Sequence, residues 1–188
     1  MTHDLESRDG LPDALTYLLR DYPRDMWAKH ENFGGLVQFW LDRHLMFRRL
    51  LEAMRDELER ALDGNLEPRM LGIRVSRYAS LFVRELHGHH TIEDTTYFPK
   101  LVALEPSLER GFDILDRDHK DLDAHLDSFT DHVNRLLVAV DNQDEWRRAA
   151  EGLCGDLQRF GGFLERHLVD EEDLIVPVLL KHASDSVG

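Results

Sequence analysis

The sequence predicts an all-helical protein, an up-down-up-down bundle of four long helices with a short helical extension at its N-terminal end. Three observations support this fold class. Apolar residues recur at three- and four-residue spacing along most of the chain, strong helix formers dominate, and no stretch shows the period of two that is typical of a strand. Four long helices joined by short loops are typical of such a bundle.

Turn signals divide the periodic region into four helices. A turn at residues 63–65 is expected to end the first helix, and a turn at 141–142 separates the third from the fourth. Pro68 suits the first turn of the second helix. Pro99 and Pro177 are expected to disturb the ends of the second and fourth helices. The predicted helices span residues 35–62, 68–96, 106–140 and 144–176.

The predicted domain organisation places residues 35–183 in the bundle and residues 1–34 in an extension that packs on it. Within the extension, residues 13–21 are expected to form a short helix with Leu15, Leu18 and Leu19 on one side. This helix would serve as a docking element for a partner or as a lid over the bundle.

Composition argues against several classes of protein. The formal net charge of −14 disfavours binding to nucleic acid or to anionic membranes. No run of 18 apolar residues is present, so no membrane span is expected, and the acidic start is unlike a secretory signal. A single cysteine, Cys154, excludes an internal disulfide framework. A cytoplasmic location is therefore expected.

A repeated motif provides the main evidence for chemistry. His89 and His167 are each followed by a glutamate four residues later and by a proline ten residues later. A lone His-x-x-x-Glu is weak evidence, but two copies with the same downstream proline, each on the second helix of a helix pair, are much stronger. Each copy is also preceded by a histidine on the previous helix, His44 for the first copy and His119 for the second.

The neighbours of these four histidines predict that they point inward. Residues three, four and seven positions away share a helical face, and around these histidines they are mostly apolar. Burying four imidazoles and two carboxylates in a bundle core is costly unless a cation is bound there. The sequence therefore predicts a metal centre formed by His44, His89, Glu93, His119, His167 and Glu171.

The donor set restricts the metal. Mixed imidazole and carboxylate ligands favour iron, manganese or zinc over calcium or magnesium, and the absence of thiolates argues against a structural zinc site. Two carboxylates among four imidazoles suit a dinuclear centre in which each carboxylate bridges. Such a centre leaves positions open for water, an oxo bridge, dioxygen or peroxide.

These residues resemble the hemerythrin-like, HHE cation-binding domains over about residues 35–180. The resemblance implies a four-helix bundle with a non-haem di-iron centre, oxo- or hydroxo-bridged, that meets dioxygen, peroxide or nitric oxide. The four histidines would be terminal ligands, and the two glutamates would bridge. The motifs that support it are His44, His89-x-x-x-Glu93 with Tyr97-Phe98-Pro99, His119, and His167-x-x-x-Glu171 with Pro177.

Two departures separate this chain from the oxygen-carrying members of that family. The carriers have a His-x-x-x-His pair on the third helix, whereas Asp123 stands four residues after His119 here. In the carriers the carboxylate also follows the last histidine by five positions, whereas Glu171 follows His167 by four. Reversible oxygen carriage is therefore disfavoured. His90 is predicted to lie in the bundle interior without binding metal, and whether it or Asp123 joins the coordination stays open.

Three functions fit this pattern. The leading one is a di-iron protein that binds or senses oxygen, peroxide, nitric oxide or iron, with no protein partner identifiable from the sequence. The second is a di-iron enzyme that decomposes peroxide or oxidises a small substrate. The third is a structural or interaction bundle whose core binds zinc or no metal.

Overall fold

The computed structural model describes residues 4–182, with the backbone alone for Gln143, and contains no strand in that range. Its helices are α1 (Gly35–Leu62), α2 (Pro68–Ile92), α3 (Phe98–Leu104), α4 (Glu109–Ala139) and α5 (Gln143–His182). A π-helical turn, Glu93–Tyr97, connects α2 to α3, and 3-10 turns occupy Tyr17–Arg20, Arg24–Lys29 and Pro106–Leu108. The all-helical class is confirmed, whereas the up-down-up-down order stays a prediction. None of the helices within residues 4–182 is long and apolar enough to cross a membrane.

The expected turn after α1 has a clear backbone signature. Gly64 adopts a φ of 79°, a left-handed conformation that glycine tolerates without strain. The amide of Gly64 donates to the carbonyl of Ala61, and the amide of Asn65 donates to the carbonyl of Arg60 at 2.8 Å. These bonds satisfy carbonyls that the helix end would otherwise leave without donors, so α1 ends at Leu62 as predicted.

The two prolines behave differently from the prediction. The α-helical part of α2 ends at Ile92 rather than near residue 96, and Pro99 lies in the first turn of α3, where its missing N–H costs little. Pro177 does not end α5, which continues to His182. Val176 and Val178 on either side of Pro177 are fully buried, and their packing offsets the backbone hydrogen bond that the proline removes.

The predicted helix over residues 13–21 is not formed as one element. Residues 13–16 are turn and bend, and only Tyr17–Arg20 is helical, as a single 3-10 turn. A segment this short does not sustain an α-helix by itself, so its shape follows from packing. Residue 183, where the predicted bundle ends, lies outside the described residues, and the domain boundary at residue 34 stays a prediction.

The chain divides into two compact units. The first comprises Met1–Leu45, His89–Asp121 and Glu165–Gly188. Residues from the N-terminal extension contribute to its hydrophobic core together with residues from the helices. This core includes Leu11, Leu15, Leu18, Trp27, Val37, Trp40, Phe98, Phe112, Leu115, Ile175 and Leu179. All six predicted metal ligands belong to this unit.

The second unit comprises Met46–Gly88 and Leu122–Leu164. Its centre contains four buried phenylalanines, and Phe82 contacts each of the other three with ring centroids 5.7 to 6.1 Å apart. These contacts are edge-to-face, the arrangement that aromatic quadrupoles favour. The other three rings belong to Phe47, Phe129 and Phe160.

Candidate metal centre

The six predicted ligands are brought together in the interior of the first unit. The least buried of them, His89, is only 7% exposed. They come from four separate parts of the chain: α1, the end of α2 with the π-helical turn, α4 and α5. Their positions are His44 on α1, His89 on α2, Glu93 at the start of the π-helical turn, His119 on α4, and His167 and Glu171 on α5.

One group of donors consists of His44, His89, Glu93 and Glu171, with one ligand atom from each lying within 4.8 Å of the others. The Nε2 atoms of His44 and His89 face each other at 3.1 Å. Two imidazole nitrogens at this separation either share one proton or direct both lone pairs at a cation. His89 Nε2 also lies 2.9 Å from Glu93 Oε1.

A second group of donors consists of His90, His119 and His167, also within 4.8 Å of one another. The rings of His90 and His119 are stacked, with centroids 4.0 Å apart and planes 8° from parallel. The ring of His167 meets that of His119 edge-on at 4.8 Å. Three imidazoles gathered at one place form an arrangement suited to a transition metal.

Each carboxylate contacts histidines of both groups. Glu93 directs Oε1 at His89 and Oε2 at His119, the latter at 3.5 Å from Nε2. Glu171 Oε2 lies 3.5 Å from His44 Nε2 and 3.4 Å from His167 Nε2. Both glutamates therefore lie between the two groups of imidazoles, where a bridging carboxylate would be needed.

His90 was not among the predicted ligands, yet the structure places it in the second group. It is 4% exposed, and neither of its ring nitrogens makes a hydrogen bond. Adjacent residues on an α-helix point about 100° apart, so His89 on the inner face favoured a different environment for His90. Asp123, the alternative fifth ligand, is exposed and belongs to neither group.

Buried atoms without hydrogen bonds show whether a cation fits. Within the described residues, seven such side-chain atoms cluster in this centre. Buried polar atoms are nearly always satisfied, so a concentration of lone pairs at one place needs a common partner. A metal cation satisfies that need. The atoms are both nitrogens of His90, both oxygens of Glu93, Nε2 of His119, Nε2 of His167 and Oε2 of Glu171.

Outer carboxylates fix the orientation of three histidines. Each pairs with an Nδ1 atom and so leaves Nε2 directed into the centre, as metal-binding histidines require. The pairs are His44 with Glu172 at 3.0 Å, His119 with Asp94 at 2.8 Å, and His167 with Asp118 at 3.3 Å. Trp40 similarly donates its indole N–H to Glu171 Oε1.

The two central carboxyl groups differ in their ionisation. Burial, reinforced by the negative charge of Glu171, raises the pKa of Glu93 well above its ordinary value. Burial also acts on Glu171, but the neighbouring His44 and His167 hold the pKa of Glu171 well below its ordinary value. The charges of the protein thus favour one neutral and one ionised carboxyl. A bound cation would favour the ionised form of both.

The histidines also differ in pKa, which is lowered for two of them and raised for two others. Burial lowers the pKa of His89 to about 3 and lowers that of His90 well below its ordinary value. For His167 the effect of burial is outweighed by Asp118 and Glu171, which together raise its pKa to about 9. The pKa of His44 is raised as well, because Glu171 and Glu172 outweigh the opposing effect of burial. His89 and His90 are therefore neutral imidazoles, the form that binds metals.

Comparison with known proteins gave one match. A family model described as the hemerythrin HHE cation binding domain matches residues 35–179. Neither the curated proteins nor the solved structures gave a match. The matched range begins at the start of α1 and includes every candidate ligand, and it leaves out the N-terminal extension.

Proposed function

The chain belongs to the hemerythrin HHE cation-binding domain family, and on that premise we propose that it holds two iron ions in the buried centre of its first unit. Cation binding is the property that the family description names. The proposal adds that the centre is dinuclear, that the metal is iron, and that a small oxidant or gas is its ligand.

The observation that carries the proposal is the position of the two glutamates. Glu93 and Glu171 each contact one histidine from either group of donors, at 2.9 to 3.5 Å. A mononuclear site would need only one such group. Two groups of imidazoles with two carboxylates between them support a pair of cations that share the carboxylates.

We infer iron from the chemistry of the donors. Imidazole and carboxylate ligands in the described residues of the centre, with no thiolate among them, suit iron, with manganese and zinc as the competing metals. His44 and His89 would hold one ion, and His119 and His167 the other, with His90 as an additional imidazole. When bound, the iron pair supplies one-electron redox chemistry and open coordination positions for dioxygen, peroxide or nitric oxide.

The residues of this chain have three tasks in that function. The buried imidazoles and carboxylates bind the metals, the outer carboxylates orient the imidazoles, and the apolar core keeps bulk water away. The small exposed fraction of every ligand favours a diatomic gas or peroxide over a larger substrate. This supports binding or sensing as the role, whereas turnover of peroxide by the iron-loaded protein would instead support the di-iron enzyme.

Removal of a bridging carboxylate tests the proposal. Glu93→Ala takes away a group that contacts both sets of histidines, so both irons should be lost during desalting. Metal analysis of protein purified after growth with iron gives the measurement, and circular dichroism checks that the helices are retained. Glu59→Ala is the control, because the Glu59 side chain is 61% exposed and lies 3.8 Å from Arg55 in a solvent-exposed pair. Equal iron content in the two variants would contradict the proposal.

A further inference from the structure

The N-terminal extension contributes two arginines to the surroundings of the metal centre. Arg8 and Arg24 both lie outside the residues that the family model matches. Each donates hydrogen bonds to a carboxylate that in turn holds a histidine ligand. Nothing in the repeated motif predicts these contacts, because their partners lie more than 100 positions away in the chain.

Arg8 reaches His167 through Asp118. Its guanidinium donates to both oxygens of Asp118, with Nη1 2.7 Å from Oδ1, and its Nε donates to Asp170 Oδ2 at 2.8 Å. Asp118 Oδ2 is the atom that contacts His167 Nδ1. The side chain of Arg8 is only 4% exposed, and that of Asp118 is 2% exposed. A buried guanidinium with two carboxylate partners of matching geometry is a built feature rather than a chance surface pair.

Arg24 reaches His44 in the corresponding way, through Glu172. Its Nη1 donates to Glu172 Oε2 at 2.9 Å, and Glu172 Oε1 contacts His44 Nδ1 at 3.0 Å. Arg24 also donates to Asp173 Oδ1 at 2.6 Å and to the carbonyl of Val169. Its side chain is 43% exposed, so its electrostatic effect is screened more strongly by solvent than that of Arg8.

The N-terminal extension contacts α5 next to Glu171. The amide of Leu11 donates to Asp170 Oδ1 at 3.1 Å, and Arg166 donates to the carbonyl of Asp9. These bonds fix the backbone on either side of Gly10. The guanidinium of Arg8 is therefore held in place by its own backbone as well as by its carboxylate partners.

We propose that Arg8 and Arg24 are positioning residues of the metal centre, which orient His167 and His44 through Asp118 and Glu172 and set the balance between ferric and ferrous iron. This inference rests on the proposed iron site. It makes the N-terminal extension a part of the centre, although the residues matched by the family model begin only at residue 35.

The direction of the effect follows from hydrogen bonding and charge. A carboxylate bonded to the Nδ1–H of a metal-bound imidazole makes that imidazole a stronger electron donor. A guanidinium bonded to the same carboxylate withdraws charge and so weakens this donation. Loss of the arginine therefore strengthens donation and also removes a positive charge near the metals, and both changes favour ferric iron.

Substitution of the arginines in the iron-loaded protein tests the inference. Arg8→Gln should raise the ratio of ferric to ferrous affinity at least tenfold, which for one electron is a fall of about 59 mV in midpoint potential. It should also speed the transfer of ferrous iron to a chelator about tenfold or more. Without Arg8, Asp118 no longer fixes the orientation of His167, and loss of an outer hydrogen-bond partner typically costs this much metal affinity. Arg24→Gln should give a smaller change of the same sign.

The matched control is Arg74→Gln. Arg74 donates to both oxygens of the buried Glu57 at 2.8 and 3.0 Å, within the second unit. Its loss breaks a comparable ion pair without touching any carboxylate that holds a histidine ligand. Potential and iron release in Arg74→Gln should match the unsubstituted protein.

The measurements distinguish failure of the proposed iron site from failure of the proposed role of the two arginines. Wild-type protein that takes up no iron would overturn the proposed function and this inference together. Wild-type protein that holds two irons, with an unchanged potential and release rate in Arg8→Gln and Arg24→Gln, would overturn the inference alone. If Arg8→Gln does not fold, Arg24→Gln decides instead. Arg8→Lys should restore most of the potential because it keeps the positive charge.

A reciprocal measurement needs no redox change. If the extension supports the ligands, then binding of ferrous iron must stabilise the extension by the same coupling free energy. Hydrogen exchange of the Leu11 amide, which donates to Asp170, should slow about tenfold or more when ferrous iron is added at saturation. An exchange rate unaffected by iron would contradict the inference.

Discussion

His90 has the least expected environment of any residue in the metal centre. Its ring is 4% exposed, stacks on His119, and makes no hydrogen bond through either nitrogen. Burial of a neutral imidazole in this position costs desolvation free energy, and no described contact compensates for it. Binding to a cation would compensate for it, and His90 would then be a ligand in addition to the four histidines of the repeated pattern.

The substitution His90→Phe separates coordination from packing. Phenylalanine keeps a ring that stacks on His119 but removes both nitrogen donors, so the fold should be preserved. We expect one of the two irons to be lost to a chelator about tenfold faster than from the unsubstituted protein. Stopped-flow chelation with elemental analysis at intervals measures this. Release of both irons at the unsubstituted rates would show that His90 only packs.

At the scale of elements, Glu105 connects three separate parts of the first unit. It lies at the C-terminal end of α3 and accepts hydrogen bonds from Tyr17 of the extension at 2.9 Å and from Lys181 and His182 at the end of α5 at 2.7 and 2.9 Å. The bonds from His182 and Lys181 lower the pKa of Glu105 to about 2 from its ordinary 4.5. Its ionised form therefore stabilises the folded state.

The pH dependence of that contribution has a definite sign. A carboxyl whose pKa is lower in the folded than in the unfolded state stabilises the fold above its unfolded pKa and loses this contribution as pH falls through the folded pKa. Glu105→Gln should lower the free energy of unfolding by about 1–2 kcal/mol at pH 7, typical of a few hydrogen bonds to a partly exposed charged group. The difference from wild type should shrink between pH 4.5 and about 2.

Urea unfolding of the metal-free protein across this pH range measures the effect. Glu59→Gln serves as the control, because its side chain is 61% exposed and should change stability little at any pH. A destabilisation by Glu105→Gln that stays constant down to pH 2 would show that the ion pairs are not its cause.

The elements differ in how far their structure can be predicted from the sequence. The six ligands could be predicted because they repeat along the chain and because helical periodicity puts them on apolar faces. The π-helical turn at Glu93–Tyr97 could not be predicted, because its residues carry no local signature of that wider turn. It lets two successive residues, Glu93 and Asp94, both contact His119.

The contacts of the N-terminal extension could not be predicted from the sequence either. Arg8 pairs with Asp118 and Asp170, which are 110 and 162 positions away, and an arginine in an irregular segment has no pattern that reveals such partners. His90 was assigned to the interior correctly, but its position beside His89 on one helix argued against a shared site. Long-range packing decided these details, whereas local periodicity decided the class of fold.

At the scale of the whole molecule, a strongly acidic chain contains a buried site suited to a cation. The formal net charge is −14, and the most deeply buried carboxylates within residues 4–182 include Glu93 and Glu171, both 0% exposed. Because a cation bound there interacts with the folded state alone, metal content and stability should rise together. The central claim is the dinuclear iron centre, and metal occupancy tests it before any assay of function.

The most direct measurement is elemental analysis of protein produced with iron, combined with its optical spectrum in air, after reduction, and after air is readmitted. We expect close to two irons per chain and an absorption band of the ferric pair that bleaches on reduction and returns with air. Folded protein with zinc at full occupancy, or with no metal after growth in iron, would contradict it.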